Sequence, residues 1–139
     1  MQTLLNKIKN KKANILIIGL GYVGLPLAKL INLKGYQVSG LDLNLELTDF
    51  LRKKNNFKIF NSYKKVNFNL VDIIILTLPT PLKKNKVPDL SYIESCMKNL
   101  LNKVKRKTLI ILESTSYPGT TNEKIIVPLS KKFKFFKFS

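Results

Sequence analysis

An α/β fold with a single doubly wound parallel sheet is predicted by three observations. Short β-branched runs alternate with stretches of helical periodicity from Asn14 onward. The first run breaks at glycine, in the pattern Gly19-x-Gly21-x-x-Gly24. The second closes on an acid, Asp42, 23 residues after Gly19. Strands in this order need crossover helices, which cover both sheet faces and leave a ligand crevice beyond the strands' carboxyl ends.

Each element follows from its residues. Asn14 to Gly19 has the look of a buried parallel strand. From Tyr22 to Lys34, Val23, Leu27, Leu30 and Ile31 recur at helical spacing, and Gly35 marks the stop. Tyr36 to Asp42 reads as the second strand. Asn44 to Lys54 reads as a helix with Leu47, Phe50 and Leu51 on one face, followed by NNFKIF as a brief strand and Asn61 to Asn69 as a turn or short helix. Val71 to Leu78, VDIIILTL, is the clearest buried strand. A proline-rich loop follows, with Asp89 as N-cap of a helix over Leu90 to Val104 whose core face is Ile93, Met97, Leu100, Leu101 and Val104. Thr108 to Thr115 is another strand, SYPG a turn, and Thr120 with Glu123 has capping-box spacing for a last helix.

At 139 residues and 45% hydrophobic content, one compact domain is expected. It divides into a basic N-terminal extension (1–13), the α/β core (14–130) and a basic aromatic tail or sixth strand (131–139). The formal charge of +17 attracts nucleic acid, anionic lipid or a small anion, but the lysines are strewn along the chain, and charge alone sets non-specific attraction. One cysteine, Cys96, allows no internal disulfide, which suits a reducing, cytoplasmic compartment. The absence of histidine rules out a His-based triad and a zinc cluster. Lys7 to Lys12 followed by ILIIGLGYVGLPLA imitate a signal peptide, but no A-x-A site follows, and cleavage near Ala28 would discard the first strand. Lys29 closes the apolar run short of the roughly 18 to 20 residues of a membrane span.

In this setting the glycines have separate tasks. Gly19 permits the tight turn, Gly21 lets the backbone approach a pyrophosphate, and Gly24 lets the helix pack on the sheet. Free N–H groups and the positive helix end then face the phosphates. Asp42 would accept from the ribose hydroxyls and repel a 2′-phosphate, which favours NAD as the expected cofactor of a Rossmann-type fold. The competing reading makes the glycines packing residues and Asp42 a surface turn residue.

GLGYVGLPLA at Gly19 to Ala28, LPTPL at Leu78 to Leu82, PDLSYIES at Pro88 to Ser95 and ESTSYPGTT at Glu113 to Thr121 together resemble the N-terminal domain of the nucleotide-sugar 6-dehydrogenases, the UDP-glucose/GDP-mannose dehydrogenase family. The combination is most similar to the branch acting on UDP-N-acetyl-hexosamines. The resemblance runs from Asn14 to Pro128 and implies oxidation of a sugar C6 alcohol to a carboxylate with two NAD, through a cysteine thiolate, for surface-polysaccharide synthesis. By position it assigns Gly19, Gly21, Tyr22, Val23 and Gly24 to the dinucleotide loop and Asp42 to the ribose. It places the hydroxyls of Thr80 and Thr115 on the nicotinamide side; turn capping is the competing role for both.

The chain departs from the family pattern in three ways. The segment between Asp42 and Val71 is short, the chain stops at KKFKFFKFS, and the region carrying the family's nucleophilic cysteine and catalytic lysine is absent. Cys96, within a helix, is expected to be inert packing away from the strand ends, and Glu113 structural or solvated. The expectation is a truncated or split dehydrogenase, or a piece that works with a partner chain, binding NAD weakly and inactive by itself. The alternative is a non-catalytic module whose basic surface and Phe-Lys tail contact nucleic acid or anionic membrane.

Overall fold

The computed structural model describes residues 3–133. Helix α1 (Leu4–Lys9) starts at Thr3, whose hydroxyl oxygen accepts the Asn6 N–H. It precedes β1 (Asn14–Ile18), α2 (Gly24–Leu33), β2 (Gln37–Leu41), α3 (Leu45–Lys54) and β3 (Lys58–Phe60). Two single 3₁₀ turns, Tyr63–Lys65 and Phe68–Leu70, lead to β4 (Ile73–Leu76), α4 (Ser91–Leu101) and β5 (Leu109–Leu112). A π-helical segment, Asn122–Ile126, runs into α5 (Val127–Lys132).

All strand pairs are parallel and the sheet order is β3-β2-β1-β4-β5. The chain begins in the middle, winds outward through β2 and β3, then returns to the other side of β1 for β4 and β5. Winding reverses between β1 and β4, where the crevice of such a sheet opens at the carboxyl edge.

Strand alternation sorts the core into two layers. Leu16, Ile18, Ile74 and Leu76 pack with Ile93, Met97 and Leu100 of α4 and Leu129 of α5. Ile15, Ile17, Ile73 and Ile75 pack with Ala28 of α2 and Leu51 of α3. Burying each such side chain stabilises the fold by about 1.5–3 kcal/mol. Leu4 and Ile8 of α1 join the second layer. At the strands' amino edge Lys7 Nζ donates to Asp72 Oδ1 at 2.7 Å, and the Asn14 N–H donates to Asp72 Oδ2 at 3.0 Å. Burial disfavours the charged carboxylate, but the Lys7 ammonium and the Asn14 amide outweigh it and hold Asp72 below the usual range.

Several boundaries and faces differ from the sequence reading. Helix α2 begins at Gly24, so Tyr22 and Val23 belong to the exposed turn, and Leu30 faces solvent because small residues, Gly24 and Ala28, make the closest approach to the sheet. Phe50 of α3 is likewise exposed, under the Lys54 ammonium at 4.3 Å, while Thr48 takes the buried place. Helix α4 spans Ser91–Leu101 with Leu90 at the N-cap position. Asp89 instead bridges to the Ser91 N–H at 3.0 Å as a turn. The predicted capping box does not form. Thr120 donates to the Tyr117 carbonyl at 2.8 Å, and Glu123 accepts from the Tyr117 hydroxyl at 2.9 Å. Of the tail, Phe133 packs against the core and residues 134–139 lie outside the described residues, as does the question of a sixth strand.

Candidate functional site

The turn after β1 is built by steric necessity. Gly19 has φ +95°, and a Cβ there would stand 2.6 Å from the Thr77 carbonyl oxygen. A Cβ on Gly24 would lie 1.8 Å from the Gly19 carbonyl oxygen, because α2 sits directly on the turn. Gly21 contrasts with both: a Cβ there would meet nothing within 4 Å. Its backbone borders open space, as a residue approached closely by a ligand requires. No side chain caps α2; the Leu25 and Leu27 N–H groups bond to the Gly21 and Val23 carbonyls and Pro26 carries none, so what the helix start turns toward the open side is chiefly the positive end of its dipole.

Asp42 closes the other side. Its Oδ2 accepts the Leu20 N–H and its Oδ1 the Asn44 N–H, each at 2.9 Å. The carboxylate thus ties the end of β2 to the glycine turn and retains lone pairs on both oxygens for further donors. A cavity of about 310 Å³ lies between, bordered by Gly19, Asp42, Leu78, Pro79, Tyr92 and Cys96.

Cys96 therefore is not remote from the strand ends: α4 leans across the sheet and delivers it to this cavity's lining. It remains 2% exposed, and burial pushes its thiol up to about 11 against the opposing hydrogen bond with Tyr63. A thiol in that state is a packing group at neutral pH.

Thr80 and Thr115 meet at the ends of the neighbouring strands, where the Thr80 hydroxyl donates to the Thr115 carbonyl. That commits the only hydroxyl proton of Thr80, leaving its oxygen as an acceptor. Ser114 Oγ donates to the Leu78 carbonyl at 2.8 Å and ties the same two loops. The glycine turn and Asp42 form one wall of the site, and the threonines stand at the ends of β4 and β5.

Thr77 was missed by sequence reasoning. Buried beneath the turn, its hydroxyl lies 2.7 Å from the Gly19 carbonyl and 3.1 Å from that of Ile18. The signal was a lone hydroxyl inside an apolar strand, VDIIILTL. Tyr63 was missed as well, since its segment has little periodicity; it lines the cavity from the 3₁₀ turn.

A sequence profile of the UDP-glucose/GDP-mannose dehydrogenase family, NAD binding domain, matches residues 45–138. Similarity to individual relatives extends over the glycine turn too. The chain is 30% identical to the UDP-N-acetyl-D-glucosamine 6-dehydrogenase of Pseudomonas aeruginosa, across 93% of this chain and 33% of that protein. It is 33% identical to the UDP-N-acetyl-D-mannosamine dehydrogenase of Campylobacter jejuni, across 82% of this chain and 32% of the relative. The crystal structure of GDP-mannose dehydrogenase from Pseudomonas aeruginosa superimposes with a TM-score of 0.77 at 25% identity, covering 88% of this chain and 33% of that one. The chain spans about a third of the length of the curated relatives it matches. Profile, relatives and fold agree: the chain belongs to the UDP-glucose/GDP-mannose dehydrogenase family and carries the NAD binding domain of that family.

Proposed function

We propose that this chain is the NAD-binding portion of a nucleotide-sugar 6-dehydrogenase. Its dinucleotide lies against Gly19, Gly21, Tyr22, Val23 and Gly24, with Asp42 on the adenosine ribose and Thr80 and Thr115 toward the nicotinamide. The observation that carries this reading is the open backbone at Gly21 beside two glycines that admit no Cβ. A pyrophosphate fits where Gly21 leaves room, at the positive end of the α2 dipole. The free lone pairs of Asp42 suit two ribose hydroxyls, and a 2′-phosphate there would meet a like charge.

Bound NAD supplies the hydride acceptor for oxidation of an alcohol. The chain's own residues bind and orient it. Thr80, its proton held by the Thr115 carbonyl, offers only an acceptor, which suits a carboxamide N–H. The buried Cys96 thiol is unsuited to capture an aldehyde, so the covalent step belongs to groups outside these 139 residues. The substrate is a UDP-sugar of the N-acetyl-hexosamine kind, as in UDP-N-acetylglucosamine 6-dehydrogenase, oxidised at C6 for polysaccharide precursors in the cytoplasm. Turnover requires the complementing catalytic part or a partner chain.

Calorimetric titration of the purified chain with NAD and NADP tests the reading. Saturable NAD binding is expected, abolished by Gly21→Val and weakened by Asp42→Ala more for NAD than for NADP. Binding indifferent to both changes would sink the assignment. No NADH should form on adding UDP-sugars to this chain alone.

A further inference from the structure

The edge of the sheet opposite the crevice gathers cations. Lys11 and Lys12 lead into β1, Lys34 into β2 and Lys105 into β5, while Lys58 opens β3 and Lys65 lies in the first 3₁₀ turn. Of the eight acidic residues only Asp72 stands at this edge, and Lys7 occupies it. Of the other seven, Asp42 and Glu113 follow strand carboxyl ends, Asp89 lies in the loop just before α4, and Glu46, Asp49, Glu94 and Glu123 sit in the first half of a helix or helical segment. Complementing helix dipoles explains part of that division, but its consequence is a positive field over one edge with no carboxylate left to offset it.

A groove of about 740 Å³ is cut into this edge, between the end of α2, the starts of β2 and β3, and the two 3₁₀ turns. Half-buried Tyr36 and Phe60 and the core residue Phe57 floor it, the amides of Gln37 and Asn67 border it, and exposed Lys58 and Lys65 supply its cations. No acid lines it. Exposed ammonium groups for phosphates and side-chain amides for base edges, beside a half-exposed tyrosine ring, are a combination that suits unpaired nucleotides. The concave shape suits a strand entering it better than a flat lipid surface, which is met by a convex apolar helix face. We propose that this groove and its basic surround bind single-stranded nucleic acid, with Lys58 and Lys65 on its phosphates, independently of the dinucleotide crevice.

Fluorescence polarisation of the full chain with a labelled oligouridylate, about twelve nucleotides long, tests this. Contact with about four phosphates predicts a roughly fiftyfold loss of affinity between about 50 and about 200 mM salt. Saturating NAD should leave the affinity unchanged. Lys58→Glu/Lys65→Glu should weaken binding at least about tenfold, and the milder Lys58→Gln/Lys65→Gln in the same direction, with circular dichroism reporting on the fold. The charge-matched Lys84→Glu/Lys86→Glu, in the loop at the opposite edge, should cost less than about threefold. Absence of binding at low salt, displacement by NAD, or equal losses from the two reversal pairs would each overturn the proposal. So would sedimentation with phosphatidylserine vesicles without oligonucleotide binding, which would make the edge a membrane surface.

Discussion

Two turns carry this chain from a strand to a helix at the same edge of the sheet, and they share a backbone conformation. Gly19, after β1, has φ +95°, and Gly119, after β5, has φ +93°. Their surroundings differ. A Cβ on Gly19 would strike backbone at 2.6 Å, whereas one on Gly119 would meet only the Glu123 carboxylate at 3.8 Å, in ordinary contact. The first turn is locked by volume and torsion together, with a helix seated on it. The second is held by torsion and by hydrogen bonds among Tyr117, Thr120 and Glu123. A left-handed glycine therefore reports little about a site until its neighbours are known.

Substitutions sharpen this contrast in a graded way. Gly24→Ala should have the largest effect, about 4 kcal/mol or more, because its new Cβ would overlap a backbone oxygen that cannot retreat. Urea unfolding measures this, and near-native stability would show that α2 can lift off the turn at little cost. Thr77→Val should come next at about 2 kcal/mol, since the buried Gly19 carbonyl loses its donor while the Ile18 carbonyl keeps the Thr77 N–H. In the second turn, Gly119→Ala should cost about 1 kcal/mol from torsion alone. A larger loss would reveal packing around Gly119 that the geometry lacks. Smallest of all, Tyr117→Phe removes an exposed hydrogen bond and should leave the melting temperature unchanged.

The same contrast explains how much was legible beforehand. The alternating strands and helices and the Gly19-x-Gly21-x-x-Gly24 pattern could be read directly, because parallel strands buried on both faces leave continuous apolar runs. Asp42 was legible as the acid at the end of β2, though not its bonds to the Leu20 and Asn44 amides. The capping box at Thr120 was misread since spacing cannot tell whether a hydroxyl turns forward to an amide or back to a carbonyl. Leu30 and Phe50 were placed inward by periodicity, yet the helix faces are set by which small residues approach the sheet.

Order along the chain thus determined the fold class, the place of the crevice and the family's motifs, because each depends on local conformation and on the sequence of strands. Tertiary structure alone decided that Thr77 braces the glycine turn, that α4 brings Cys96 and Tyr92 to the cavity beside Asp42, and that lysines scattered in sequence share one edge. Those facts depend on distances between elements far apart in the chain, and the packing of helices on the sheet sets such distances.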